Sequence, residues 1–282
     1  MKEVVLTFGE RQLIGILALP EEIDPRRPAI VIPNTGIEHR VGPNRLHVKL
    51  ARAFAQRGYV ALRLDLSGMG DSPMDAAGDA VRDLQEAMDE LQRQGYGGRF
   101  AAVGLCSGAH DAHRLALADR RVTAVACIDG YAYRTPRFFL NYLQQRLTDP
   151  ERLMRFLGKR IVIGAGTDGF DAGNVDYFRQ PRRAQMRRDL AVLMGRRDAL
   201  CYVYSGQMQY IYNYAAQLTD VFPELKEYPA FELHHMAHSD HTFSTTQMSG
   251  DLAGCLLGWL QKAQPLPLTG SMPAMAGAAV VA

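Results

Sequence analysis

Gly104-Leu105-Cys106-Ser107-Gly108 sets a thiol at the centre of a G-x-nucleophile-x-G pentapeptide. It follows the short apolar run Phe100-Ala101-Ala102-Val103 and precedes a helix-like stretch, Ala109 to Ala118. A nucleophile at a strand-to-helix turn must be flanked by small residues, because the bend leaves no room for side chains on either side. The middle side chain then stands exposed at a helix N-terminus, where the partial positive charge favours thiolate over thiol. Cys106 is therefore a candidate nucleophile; the competing reading is a buried core cysteine, since free Cys is among the most buried residue types.

A nucleophile needs a base, a group to orient that base, and donors for the oxyanion. Histidines cluster in His234-His235-Met236-Ala237-His238-Ser239-Asp240-His241, between the last strand-like run and the last helix-like one. His241 is the expected base, because His241-Thr242-Phe243 leads straight into that helix, and His238 is second. A metal site built on His234, His238 and Asp240 is the alternative, weakened by the lack of a second ligand set elsewhere in the chain. No carboxylate stands after the penultimate strand, where Gln207-Met208-Gln209-Tyr210 follow Tyr204-Ser205-Gly206. Asp129, in Cys127-Ile128-Asp129-Gly130 at the neighbouring strand end, is the expected orienting acid, and Asp240 is a poorer choice beside His241 itself. A thiolate–imidazolium pair can also form without any acid, leaving Gln207 or Asn213 to orient the ring. Ser107 should give one oxyanion amide, and the loop Asn34-Thr35-Gly36-Ile37 the second, through Thr35 or Gly36, with Asn34 bracing the loop. Asp65 and Asp71 are expected to hold the turn around Gly68-Met69-Gly70, and His110 to pack or face solvent.

The elements that must position these groups alternate strand and helix. Val4–Phe8 and Leu13–Leu19 read as a hairpin, and Ala29–Pro33 as a buried strand. Asn44–Gln56, Asp79–Gln94 and Phe243–Lys262 read as helices. Tyr59–Asp65, Val122–Ile128, Leu200–Tyr204 and Ala230–Leu233 read as further strands. This alternation specifies an α/β protein with a mostly parallel, doubly wound sheet, whose ligands sit at the carboxyl ends of the strands. Every residue nominated above falls at such an end. At 282 residues, 47% hydrophobic and 22% charged, the chain has the bulk and composition of a globular enzyme. A net charge of +2 carries no signature of a nucleic-acid partner, and none is expected. The four cysteines (Cys106, Cys127, Cys201, Cys255) form no C-x-x-C pair, which argues against a zinc ribbon or disulfide scaffold. Cys127, Cys201 and Cys255 read as packing residues. No apolar run is long enough to span a membrane, the N-terminus lacks a signal-peptide core, and the expected setting is the cytoplasm.

The chain divides by expectation into a core (1–133 and 199–262), a helical cap (134–198) and a disordered tail (263–282). Residues 134–197 carry 14 Lys and Arg against 6 Asp and Glu, a local +8 on a body of −6. That basic cap is either a set of solvated helix faces or a docking surface for an anionic partner such as an acidic acyl carrier protein. Phe138, Phe139, Leu140 and Met154 would line an acyl channel or simply pack. In the tail, Leu266-Pro267-Leu268-Thr269-Gly270 matches a sorting pentapeptide only by chance.

Leu64-Asp65-Leu66-Ser67-Gly68-Met69-Gly70-Asp71-Ser72, together with the elbow, resembles the D-x-x-G-x-G-x-S loop of the α/β-hydrolase superfamily over roughly residues 1–262. The resemblance implies the α/β-hydrolase fold: a mostly parallel eight-stranded sheet flanked by helices, with the cap inserted between the sixth and seventh strands. Asn34-Thr35-Gly36, Arg40-Val41-Gly42-Pro43-Asn44-Arg45, Gly104-Leu105-Cys106 and Asp240-His241-Thr242-Phe243 further resemble the exosortase-associated hydrolases, which are linked to polysaccharide export and acyl chemistry. Members usually carry Asp where Gln207 or Gln209 stands here.

The chemistry expected is covalent acyl transfer or hydrolysis through Cys106, with no cofactor and no metal. Thiol attack on a thioester is nearly isoenergetic, whereas attack on a simple ester or amide runs uphill. An acyl-thioester on a carrier protein or coenzyme A is therefore the expected substrate. A carboxylesterase or dienelactone-type hydrolase acting on a small free substrate is the alternative enzyme, and a silent binding module on a hydrolase scaffold the alternative of another class. The oligomeric state is open, a homodimer among the options.

Overall fold

The computed structural model describes residues 1–75, 78–148 and 180–263. Met154, the stretch 164–173 and the tail from 264 onward lie outside the described residues. Eight strands, β1 (Lys2–Phe8), β2 (Leu13–Leu19), β3 (Ala29–Ile32), β4 (Ala61–Leu64), β5 (Phe100–Leu105), β6 (Val122–Ile128), β7 (Ala199–Ser205) and β8 (Phe231–Met236), form one sheet in the order β1-β2-β4-β3-β5-β6-β7-β8. β1, β2 and β4 pair antiparallel; every other neighbour is parallel. The central strands AIVI, ALRL, FAAVGL and ALCYVYS are buried along their whole length, the mark of a sheet covered on both faces.

Around the sheet lie α1 (Leu46–Gln56), α2 (Ala80–Arg93), α3 (Ser107–Ala118), α4 (Pro136–Thr148), α5 (Arg183–Gly195), α6 (Gln217–Val221) and α7 (Thr246–Lys262). One core cluster joins α2, α3 and α5 to one face of the sheet, and a second joins α1 and α7 to the other. In α2, Asp79 caps the N-terminus by accepting from the Val81 amide, and Val81, Leu84, Met88 and Leu91 supply the buried stripe. In α7, the Thr245 hydroxyl accepts the Met248 amide at 3.1 Å.

Two helices begin later than their apolar patterns suggest. Asn44 and Arg45 take positive φ values of 50° and 60°, so a short 3-10 turn precedes α1. Phe243 has φ 48°, and α7 starts only after it, at the Thr245 cap. β8 runs on to Met236, which brings His234 and His235 into register with Val203 and Tyr204. Within 134–198, α5 buries Met186, Leu190 and Leu193 completely in the same core cluster as α3, and so acts as the crossover helix between β6 and β7.

Candidate active site

Cys106 sits between β5 and α3 with φ 56° and ψ −116°, a strained backbone for a residue with a Cβ. The bend is enforced by close packing: a Cβ on Gly104 would lie 2.0 Å from the Gly108 carbonyl oxygen, and one on Gly108 would lie 2.5 Å from that of Asn34. The thiol is half-buried and unpaired with any other cysteine. Its sulfur interacts electrostatically with the His241 imidazole and helps to hold that ring protonated.

His241 follows β8 in the loop before α7. Its Nδ1–H donates to Asp129 Oδ2 at 2.8 Å; a carboxylate can only accept, which fixes the tautomer. Asp129 first, and Cys106 second, raise the imidazole from its ordinary 6.5 to about 10, against the opposing effect of burial. The ring therefore stays protonated through neutral pH while it faces the sulfur.

Asp129 is fully buried and has φ 47°, so it closes β6 in a left-handed turn. Its second partner is Ser205 at the end of β7. The Ser205 amide donates to Oδ1 and the hydroxyl to Oδ2, each at 2.6 Å. The acid at the β6 terminus thus reaches the imidazole across β7, because β7 ends in a hydroxyl that braces it. Gln207 does not touch the ring: its Oε1 accepts the His241 backbone amide at 2.8 Å and so holds the loop rather than the imidazole. Asn213 bonds the Phe138 carbonyl, away from the histidine. Asp240 is spent on its own turn, accepting from the Thr242 amide and hydroxyl and from Ser244. His238 lies in the loop without a contact to the sulfur, and His110 packs edge-on against Tyr131 at 5.5 Å.

The oxyanion side is built by the β3 and β4 loops. Asn34, 1% exposed, donates to Glu38 O at 2.8 Å and Asp65 Oδ1 at 3.0 Å, and accepts from the Leu66 amide at 2.7 Å. Asp65 also takes the amides of Arg40 (2.6 Å) and Asp71 (3.1 Å). Thr35 pins this loop to the elbow strand through the Leu105 carbonyl at 3.3 Å and to α1 through the His47 ring at 3.1 Å. Burial lowers His47 to about 4, so this buried imidazole is neutral. Of the two donors expected from this loop, the Gly36 amide donates to Ser107 Oγ at 2.6 Å. The Thr35 and Ser107 amides have no protein acceptor among the described residues. The Ser107 N–H is one of the unpaired donors that every helix N-terminus presents.

His39, Asp65 and Asp71 bring three metal-capable atoms within 4.8 Å of one another. The Arg40 guanidinium lies against both carboxylates, at 2.8 Å from Asp71, and supplies the positive charge that a cation would bring. Sequence reasoning missed Ser205, whose role needs the β6–β7 register, and Tyr210, whose exposed phenol stands near Cys106 and Asp129.

The family profile described as "Alpha/beta hydrolase family" matches residues 41–280, most of the chain. The chain belongs to that family. It is accordingly an enzyme of the hydrolase type. Among curated proteins, an uncharacterized protein of Escherichia coli strain K12, YcjY, is 24% identical over 253 residues, covering 86% of this chain and 78% of that one. The esterase domain of a Rhodothermus marinus protein superposes with a TM-score of 0.56 at 18% identity, over 93% of this chain and 99% of that one. A Pyrococcus furiosus esterase gives 0.58 at 15% identity, over 94% and 91%. The thioesterase domain from the curacin biosynthetic pathway gives 0.53 at 14% identity, over 91% and 99%. At these identities the solved structures share the fold of this hydrolase.

Proposed function

We propose that this hydrolase works through an S-acyl enzyme on Cys106, with His241 as acid and base, Asp129 as the orienting carboxylate, and an acyl-thioester as donor. The observation that carries the reading is an imidazole held by Asp129, itself braced by Ser205, that interacts electrostatically with the elbow thiol. The Cys106 thiolate attacks the carbonyl carbon, and the oxyanion is met by the Ser107 amide and the open Thr35 amide. The tetrahedral intermediate collapses, breaking the carbon–sulfur bond to the leaving group, and the departing thiolate takes the proton from His241. The neutral ring then removes a proton from water or an acceptor hydroxyl, whose oxygen attacks the S-acyl carbon and frees Cys106. Each oxyanion donor typically contributes on the order of 3–4 kcal/mol.

Phe139, Leu140 and Leu143 expose 55%, 67% and 53% of their surface on α4, an apolar strip suited to an acyl chain, whereas Phe138 is buried core. Arg134 and Arg137 stand at the start of α4, and Arg183 reaches the Arg134 carbonyl there, a basic setting that suits an acidic carrier. In this reading α4 belongs to the cap, the setting is cytoplasmic, and the closer kinship is with the exosortase-associated hydrolases. The likeness to two esterases favours a small free ester as the second reading.

The test is intact-mass measurement after mixing with an acyl-CoA, alongside turnover of p-nitrophenyl esters. An acyl adduct that disappears in Cys106→Ala supports the thioester reading. Fast ester turnover with no thioester adduct selects the second reading, and no adduct from either substrate overturns both.

A further inference from the structure

On the α1 and α7 side of the sheet, away from the elbow, a second thiol lies beside a second imidazole. Cys201 on β7 is the register partner of Glu232 on β8, and His234 lies two residues further along the same face. α7 covers that face and brings down Cys255 and Lys262, two helical turns apart. Lys262 Nζ donates to Glu232 Oε1 at 2.9 Å, and Glu232 Oε2 lies 3.0 Å from His234 Nε2. Cys255 packs against the core cluster that contains Cys201, and its thiol interacts electrostatically with both Cys201 and His234. A cation, a carboxylate, an imidazole and two thiols therefore run in sequence from the surface into the core. β8 is the edge strand and all six of its residues are partly accessible, so a small solute can reach Cys255, which is half-buried; Cys201 behind it is fully buried. Both cysteines are free. This constellation is unrelated to acyl transfer: it lies under α7 and shares no residue with Cys106, His241 or Asp129.

We propose that Cys255 and Cys201 form a peroxide-reactive thiol pair, with Cys255 attacking a hydroperoxide and Cys201 resolving the product as an intramolecular disulfide. The Cys255 thiolate takes the terminal oxygen of the hydroperoxide, breaking the O–O bond; with hydrogen peroxide the products are Cys255 sulfenic acid and hydroxide, the latter protonated by solvent. The Cys201 sulfur then attacks the sulfenic sulfur, its proton leaves with the hydroxyl as water, and the S–S bond forms. Two thiols are oxidised and one peroxide is reduced to two waters. The environment suits the division of labour. Cys201 first, and His234 after it, pull the Cys255 thiol below its ordinary value against the opposing effect of burial, whereas Cys201 is pushed up. Partial exposure gives the solute access to Cys255 and denies it Cys201, so Cys255 is the attacking sulfur and Cys201 the resolving one.

The experiment uses the full chain carrying Cys106→Ala, so that the elbow thiol cannot react, with hydrogen peroxide as the probe. The expected results are loss of two hydrogens in intact mass and a peptide pair joined through Cys201 and Cys255. With Cys201→Ser added, dimedone should trap Cys255 sulfenic acid instead. With His234→Gln added, the midpoint of Cys255 alkylation by iodoacetamide against pH should move upward, and peroxide oxidation should slow about threefold. Exclusive overoxidation of Cys255 without a Cys201 linkage, or a Cys255 alkylation profile unmoved by His234→Gln, overturns the proposal. Neither outcome depends on what Cys106 acylates.

Discussion

Asp129→Asn separates the electrostatic role of the carboxylate from its structural one. Asparagine tolerates the φ of 47° at this position better than most residues, so the turn after β6 should survive. Its carbonyl oxygen can still accept from Ser205, which turns the side-chain N–H₂ toward His241. Two donors would then meet at Nδ1, so the ring loses the Nδ1 proton that the native imidazolium gives to Asp129 and is left neutral, with its single proton on Nε2 and no positive charge to pair with the thiolate. In the native protein the rise of His241 from 6.5 to about 10 corresponds to ~5 kcal/mol of stabilisation of the protonated ring, on a side chain 27% exposed. Asp129 is the larger of the two causes, so about 3 kcal/mol belongs to it. Because the folded-state value is raised, this contribution is complete below 6.5 and fades as pH climbs to about 10. Urea denaturation should therefore show Asp129→Asn destabilised by ~3 kcal/mol near pH 6 and by only ~1 kcal/mol near pH 10, the residue of an ordinary hydrogen bond. Acylation by a thioester should fall on the order of 10²–10³, less than the ~10⁴ found for a serine nucleophile, because a thiol ionises more readily. A stability difference that is flat across this pH range, with acylation within about threefold of the native rate, would refute the electrostatic account.

Other substitutions test the frame around the site. A Cβ on Gly206 would lie 1.9 Å from the Ala237 carbonyl oxygen, in the loop that carries His241. Gly206→Ala should cost at least about tenfold in kcat/KM, whereas Gly250→Ala, in open space on α7, should raise stability by about 0.5–1 kcal/mol by urea denaturation. Gln207→Ala removes the acceptor for the His241 amide and should lower kcat about tenfold with little change in Tm, measured by thioester turnover and calorimetry. Asn34→Ala leaves the Glu38 carbonyl, the Leu66 amide and one Asp65 oxygen each short of a partner, and should cost ~2–4 kcal/mol in urea titrations.

The alternation of apolar runs with helical stripes determined the sheet and its order of elements, because strands buried on both faces and amphipathic helices carry periodicities that local sequence displays. The elbow was equally legible: only glycine at 104 and 108 permits that backbone, and the middle residue must then be presented. His241 could be placed by its position before the last helix. Asp129 was harder, since no feature of Cys127-Ile128-Asp129-Gly130 says which imidazole it faces. That is decided by the parallel register that sets Ile128 beside Val203 and so brings Ser205 over Asp129. The oxyanion loop divided the same way. Its location followed from the β3 terminus, but which amide remains open depends on the Ser107 hydroxyl reaching back 71 residues to Gly36. Cys255 read as packing in an apolar helix, and only the docking of α7 on the sheet placed it against the cluster that holds Cys201 and within the field of His234. Local periodicity is written residue by residue along the chain, whereas the charge and hydrogen-bond environment of a side chain is set by neighbours that are distant in sequence and meet only after the sheet has assembled.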